Sequence, residues 1–289
     1  MKRRTAQQPI IIIGMHRSGT SMIVRLLEEL GLFVGKRKDQ NHEAMFFQRL
    51  NIWLFHQAGA SWDKPKPLCD FLNHSEVRLL AVDYIRQLMK SPWAISYLGL
   101  GNFLRYRGIQ NVDFPFGWKD PRTTFLLPLW LDVFPGAKII HIYRHGVDVA
   151  HSLQVRQRKQ LALEKVLHER RKRWFRYWFL PMQGGFVGSV RVESLEFCVS
   201  LWETYNIEAR THVNQLGKRA VEIKYEDFLA MPYESINDLA QFCCLNPRRT
   251  AIQDLATTIK SDQVYAYRRN AELCAFAESV AKQLKRGGY

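Results

Sequence analysis

The sequence predicts an α/β fold in which a central parallel sheet is flanked by helices, and three observations point to it. Short apolar, β-branched runs alternate with amphipathic helical patterns along the 289 residues. The run Pro9-Ile10-Ile11-Ile12-Ile13 feeds a glycine-bounded loop, Gly14-Met15-His16-Arg17-Ser18-Gly19-Thr20-Ser21, that opens into a helix. Two more buried-strand patterns, at 138–143 and 219–224, also end in polar, charged loops. In open parallel sheets ligands bind beyond the carboxyl ends of the strands, so these loops are the candidate binding elements.

Residues 9–14 read as a strand ended by glycine. Residues 19–30 read as a helix, with Met22, Ile23, Leu26, Leu27 and Leu30 on one face and Gly31 as its stop. A second amphipathic helix, rich in Phe and Trp, is expected over 43–58. Residues 60–75, which hold Pro65 and Pro67, read as a loop, and 75–90 as another helix. A strand over 114–118 leads into Lys119-Asp120-Pro121-Arg122, and a helix then runs to about Phe134, closed by Pro135-Gly136. The strand at 138–143 is followed by Arg144-His145-Gly146 and a helix carrying Asp148 and Ser152. The strand at 219–224 runs into Tyr225-Glu226-Asp227. With no internal repeat and no low-complexity linker, residues 1–289 are expected to form a single domain.

Composition narrows the class. With 47% hydrophobic and 24% charged residues, the chain is not globally disordered. Forty-two Lys+Arg against 27 Asp+Glu leave a net +15, a field that favours polyanionic partners without choosing among nucleotides, nucleic acid, acidic glycans and anionic lipid. Cys69, Cys198, Cys243, Cys244 and Cys274 have neither a CxxC nor a Cys/His metal spacing. They are expected as buried thiols in a reducing cytosol. Lys2-Arg3-Arg4 could open a signal peptide, but the apolar run after it is short and closed by Arg17. No apolar stretch approaches the length of a membrane span. A soluble, cytoplasmic protein is expected, with work at a membrane surface left open.

The first loop keeps the GxxxxG spacing of a nucleotide-triphosphate cradle, but Thr20 stands where its lysine would be, and a cation is supplied by Arg17 instead. Backbone N–H groups and the positive end of the helix still face an anion there. Arg144 after the second strand, with Ser152 eight residues on, forms a second anion site at another helix start. Two such sites on neighbouring strands imply one ligand with phosphates at two ends.

These residues carry a resemblance. Gly14 to Ser21 is similar to the 5′-phosphosulfate loop of sulfotransferases, and Arg144 with Ser152 matches that family's 3′-phosphate motif, with Asp148-Val149-Ala150 between them. Trp118-Lys119-Asp120-Pro121 resembles a segment of the tyrosylprotein and bacterial branches, and Tyr225-Glu226-Asp227-Phe228 a motif whose tyrosine lies by the adenine. Asn41-His42-Glu43, then Phe46-Phe47 and Leu50-Asn51, resemble the acceptor-side segment of bacterial members, and Gly288-Tyr289 their ending. The resemblance implies a P-loop NTPase-like sulfotransferase fold, the donor 3′-phosphoadenosine 5′-phosphosulfate, the product adenosine 3′,5′-bisphosphate and no metal. It also accounts for the missing lysine, since one phosphate and one sulfuryl group are held rather than a magnesium-bound triphosphate.

Roles follow from that reading. Arg17 and Lys119 are the cations expected where charge builds on the bridging oxygen. The amides of Ser18, Gly19, Thr20 and Ser21, with the Thr20 and Ser21 hydroxyls, are expected at the 5′-phosphate, Arg144 and Ser152 at the 3′-phosphate, with Arg268 and Arg269 as further contacts to it. Glu43 is the first candidate for the general base and His42 the second, because the lysine-threonine-histidine segment of the small-molecule branch is missing. The acceptor is expected to carry a hydroxyl, on a saccharide, a glycolipid or a small molecule.

Plainer readings stand beside these. Glu43 is also what a solvated helix start would carry, Lys119-Asp120 could be a surface ion pair, and His141 reads as structural. Residues 153–180 hold nine Lys/Arg and two Glu, a net of +7, and close on Trp174, Phe175, Tyr177, Trp178 and Phe179. A solvated helix face, a wall near the acceptor side and membrane-surface contact all fit that segment. Two other functions remain open on sequence alone: an atypical P-loop kinase or hydrolase, and a nucleic-acid-binding module built on the basic segment.

Overall fold

The computed structural model describes residues 6–180 and 186–289. Four strands form one parallel sheet: β1 (Ile10–Ile13), β2 (Gly117–Lys119), β3 (Lys138–Tyr143) and β4 (Ala220–Lys224), in the order β2-β1-β3-β4. The predicted α/β architecture, a parallel sheet among helices, is therefore present. The β-branched run of β1 is covered on both faces, every residue buried, as a central parallel strand between helices requires, while the edge strand β4 is only half-buried along its length.

Side chains alternate across the sheet. Ile10, Ile12, Ile140 and Ile142 pack with Ile23, Val24 and Leu27 of helix α1 (Thr20–Glu29), and with Phe228, Ile236 and Leu239. An aromatic stack lies around β2, where Trp118 lies flat on Phe47 of helix α2 (Met45–Gln57) at 3.8 Å and meets Trp130 edge-on at 4.8 Å. The chain leaves β1 toward β2, while β3 lies on the other side of β1 and is followed in the sheet by β4. The carboxyl ends of β1 and β3 thus border a topological switch point, the crevice where such sheets take ligands.

Some boundaries differ from the sequence reading. The expected loop at 60–75 contains the short helix Leu68–Asn73, started by Pro67 and carrying Asp70 in its first turn. β2 begins at Gly117 because Pro115 has no N–H to give a ladder; its carbonyl accepts from Phe33 N–H at 3.0 Å instead. Of the five cysteines only Cys198 and Cys243 are buried, while Cys69 and Cys244 are exposed. Among the described residues, no helix is long and apolar enough to cross a membrane.

The chain divides into two compact units: Met1–Arg144 with Tyr205–Val264, which contains the sheet, and His145–Thr204 with Tyr265–Tyr289. The second is helical. Its longest element, Gly146–Arg173, is buried over its first turns, where Asp148 accepts Tyr267 N–H at 2.8 Å and Gln154 donates to Glu193 O at 2.7 Å.

Candidate active site

The loop after β1 is shaped by backbone that few residues adopt. Gly14 has φ 132°, and a Cβ there would lie 2.3 Å from Ile142 O, so the close passage of the loop over β3 admits only glycine. Arg17 (φ 72°) and Gly19 (φ 95°) are both left-handed, and this alternation turns successive N–H groups toward one concavity, an anion nest. A left-handed arginine is strained, and such strain gathers at functional sites. Gly19 starts α1 without any side-chain cap, which leaves the first-turn amides to an anion. Within the nest Ser18 is fully buried, and its Oγ has no hydrogen-bond partner. A buried hydroxyl left in that state is expensive unless a ligand oxygen meets it.

Tyr225, directly after β4, closes over this loop. A Cβ on Gly19 would stand 2.6 Å from its ring, so glycine is required here for contact as well as for φ. The Arg144 guanidinium lies over the same Tyr225 ring, 4.8 Å from its centroid, and donates to Gln263 O at 2.6 Å. Desolvation and the positive charge of Arg144 both lower the Arg17 pKa. Two guanidiniums thus feel each other at the carboxyl ends of β1 and β3, an arrangement that an anion with several charges relieves.

The second half of the site is a buried charge network. Lys119, at the end of β2, is 2% exposed and donates to Glu43 Oε1 at 3.0 Å. Glu43 Oε2 accepts from Gln48 at 2.8 Å and from Arg122 at 3.4 Å, and Arg122 also donates to Asp120 Oδ1 at 2.9 Å. Asp120 in turn accepts from Asn51 at 2.9 Å, and Asn51 accepts from the Trp130 indole at 3.0 Å. Burial, with Glu43 nearby, pushes the Asp120 carboxyl up to about 6 against the pull of Arg122. Burial lowers the Arg122 pKa less than Asp120 and Glu43 raise it.

Glu43 is presented by a loop rather than by a helix. The Asp39 carboxylate accepts from the N–H groups of Asn41 and Glu43, both at 2.8 Å, and this turn holds residue 43 outside α2, which starts only at Met45. Ser21 Oγ donates to Asn41 O at 2.9 Å, tying the same turn to the phosphate-type loop. His42 takes φ 58° and points away, its Nδ1 at 3.3 Å from Glu28; burial and the cations Arg25 and Lys38 lower its pKa. Helix α2 itself walls a cleft of about 260 Å³ lined by Met45, Phe46, Trp53, Tyr84 and Trp93, with Arg37 and Arg49; Glu43 is not part of its lining.

The sheet-bearing unit therefore collects Arg17, Ser18, Gly19, Thr20, Ser21, His42, Glu43, Lys119, Arg144 and Tyr225. Ser152, Arg268 and Arg269 belong to the second unit, where Arg268 lies 4.3 Å over the Tyr265 ring. Lys119-Asp120 is not a surface pair: Lys119 bonds Glu43, and Asp120 bonds Arg122. His141 is structural as read, fully buried with Nδ1 at 2.9 Å from Glu222. Sequence reasoning passed over Asp39, Gln48 and Arg122 as site residues. Only Arg122 carried a signal, as a cation three residues beyond a buried strand.

The sulfotransferase family model matches residues 9–247, which contain every loop of this site. The chain belongs to the sulfotransferase family. No curated protein sequence matches it. Among solved structures this family member is similar to the sulfotransferase domain of the Synechococcus PCC 7002 olefin synthase, with 16% identity, 97% of each chain covered and a TM-score of 0.50. The sulfotransferase domain of the curacin biosynthetic pathway gives 15% identity over 96% of this chain and 98% of that one, also at 0.50. Likeness at this identity is likeness of fold, and it agrees with the four-stranded parallel sheet. Among the described residues no group of three or more His, Cys, Asp or Glu is arranged to hold a metal ion.

Proposed function

We propose that this family member transfers the sulfuryl group of 3′-phosphoadenosine 5′-phosphosulfate to an acceptor hydroxyl. The observation that carries the reading is the nest at Arg17–Gly19 with its unpartnered buried Ser18 hydroxyl, together with Arg144 directly after β3. A 5′-phosphosulfate group supplies the oxygens for the first. A donor with a further phosphate supplies charge for the second, Arg144, to grip, and Tyr225 is retained by the adenine from the sequence reading alone. Ser152, Arg268 and Arg269 are retained as 3′-phosphate contacts from the sequence reading alone.

In the reaction the acceptor oxygen forms a bond to sulfur as the bond from sulfur to the bridging phosphate oxygen breaks, and the electron pair stays on the phosphate. Arg17 and the loop amides stabilise that developing charge. Glu43 takes the proton of the acceptor hydroxyl. Its geometry supports this role over His42, because Lys119 and Gln48 hold its carboxylate while the His42 ring is turned to Glu28. Lys119 has further N–H donors besides the one given to Glu43, so one ammonium can bridge base and sulfuryl group.

We place the acceptor over the cleft walled by α2, whose lining residue Met45 follows Glu43 by two positions in the sequence. Its aromatic rings suit the faces of a sugar and its aliphatic side chains an acyl part. This lining supports a glycolipid among saccharide acceptors, with Arg37 and Arg49 available to an anionic group. The free thiols of all five cysteines agree with a reducing, cytoplasmic setting.

Calorimetric titration with adenosine 3′,5′-bisphosphate in the presence of a chelator tests the donor. Tight binding is expected, and Arg144→Ala should weaken it far more than it weakens adenosine 5′-phosphosulfate. Equal losses would remove Arg144 from the 3′-phosphate, and magnesium-dependent ATP turnover would overturn the reading.

A further inference from the structure

In the helical unit, the element Gly146–Arg173 outlives its own core. Its last buried residue is Gln157, and from Arg158 to Leu180 no residue is buried. Along that stretch one helical stripe, Leu161, Glu164, Leu167, His168 and Arg171, is half-buried, and the other faces are open to whatever lies outside the chain. The end of this helix is also where large apolar side chains gather. Trp174, Phe175, Trp178, Phe179 and Phe186 are 60–82% exposed, with Val166 and Leu163 behind them.

The tip is folded rather than frayed. Phe175 takes φ 50°, reversing the chain so that the short helix Arg176–Phe179 turns back on its neighbour. His168 Nδ1 meets Tyr177 Oη at 2.9 Å, and Arg171 donates to Glu164 at 3.0 Å. These contacts secure the two polar faces and leave Trp178 and Phe179 pointing outward, 82% and 80% exposed. Arg170, Lys172, Arg173 and Arg176 gather around Trp174.

We propose that this tip is a peripheral membrane anchor that inserts its aromatic side chains at the surface of an anionic bilayer. Trp and Phe prefer the interfacial layer, and long basic side chains reach past them to lipid phosphates. Each Lys or Arg held near such a surface strengthens binding by about fivefold, and the segment 153–180 carries a net +7. The same charge argues against a second copy as occupant, since two tips docked on each other would bring like fields together. Nucleic acid satisfies the charge, but not Leu163, Val166 and Leu180, which offer nothing to a base and suit acyl chains.

The experiment is flotation of the full chain with vesicles of phosphatidylcholine alone and of equal parts phosphatidylcholine and phosphatidylserine. Binding to the mixed vesicles, little to the neutral ones, and release by salt are expected. Trp178→Ala/Phe179→Ala should weaken binding on the order of tenfold or more, and Arg170→Gln/Arg173→Gln by about twentyfold. In both variants the thermal melt and adenosine 3′,5′-bisphosphate binding should be unchanged, because these side chains lie on no core. Failure to float with either vesicle would overturn the proposal. So would wild-type flotation of the aromatic variant, a dimer that shields Trp178 from quenchers, or RNA binding lost in that variant while vesicles are ignored. None of these outcomes bears on the donor reading, which the titration decides separately.

Discussion

At the scale of single residues, the site depends on groups held where their own chemistry is uncomfortable. Arg17 is a left-handed arginine whose charge is opposed by Arg144. Arg17→Ala keeps the left-handed backbone, since alanine also carries a Cβ, and removes one preorganised cation, so sulfuryl transfer should fall by about 10²–10³-fold with the fold retained; near-normal turnover in a donor-saturated assay would exclude Arg17 from the reaction. Asp120 is uncomfortable in the opposite sense. Its folded pKa is about 6 against an ordinary 3.8, so between those values the folded chain holds a proton that the unfolded chain has released. The stability contributed by protonated Asp120 is present below about pH 4 and is lost as the pH rises through about 6. Urea midpoints for the wild type should therefore fall relative to Asp120→Asn across that window, and parallel pH profiles would show that the shift is not there.

At the scale of elements, the acceptor side is built by bolting α2 to the turn after β2. Asn51 makes that joint: it donates to Asp120 and Thr123 at 2.9 and 3.0 Å and accepts from the Trp130 indole. Asn51→Ala leaves a buried carboxylate and a buried indole N–H short of partners, so a loss of about 2–4 kcal/mol is expected in chemical denaturation. Because Glu43 and Lys119 meet across the same joint, the variant should also lose turnover at saturating donor. A stability loss with undiminished turnover would mean that the joint does not position Glu43.

At the scale of the whole chain, the +15 field and the two anion-facing loops make nucleotide binding the largest lever on stability. A ligand that binds only the folded state at a hundredfold over its Kd adds about 2.7 kcal/mol, or roughly 4–5 °C of Tm for a chain of this size. Adenosine 3′,5′-bisphosphate should raise the melting temperature by that amount, with magnesium making no difference. The rise should shrink as salt screens the field. An unchanged melt at saturating ligand would contradict the donor reading, whereas a magnesium-dependent shift would return it to the triphosphate class.

Much of this was written locally. Tetra-isoleucine before Gly14 is a buried parallel strand by composition, and the glycine spacing already marks a tight loop between strand and helix, because φ preferences and strand burial are properties of a few adjacent residues. The 138–143 strand and the arginine after it were legible for the same reason. Tertiary structure decided which carboxylate faces which cation. Lys119 reads next to Asp120 yet bonds Glu43, a residue 76 positions earlier, while Asp120 takes Arg122 and Asn51. Asp39 and Gln48 matter only because a turn and a helix deliver them to Glu43. Pairing across such distances depends on how helices settle on a sheet, which is the one quantity that local sequence does not contain.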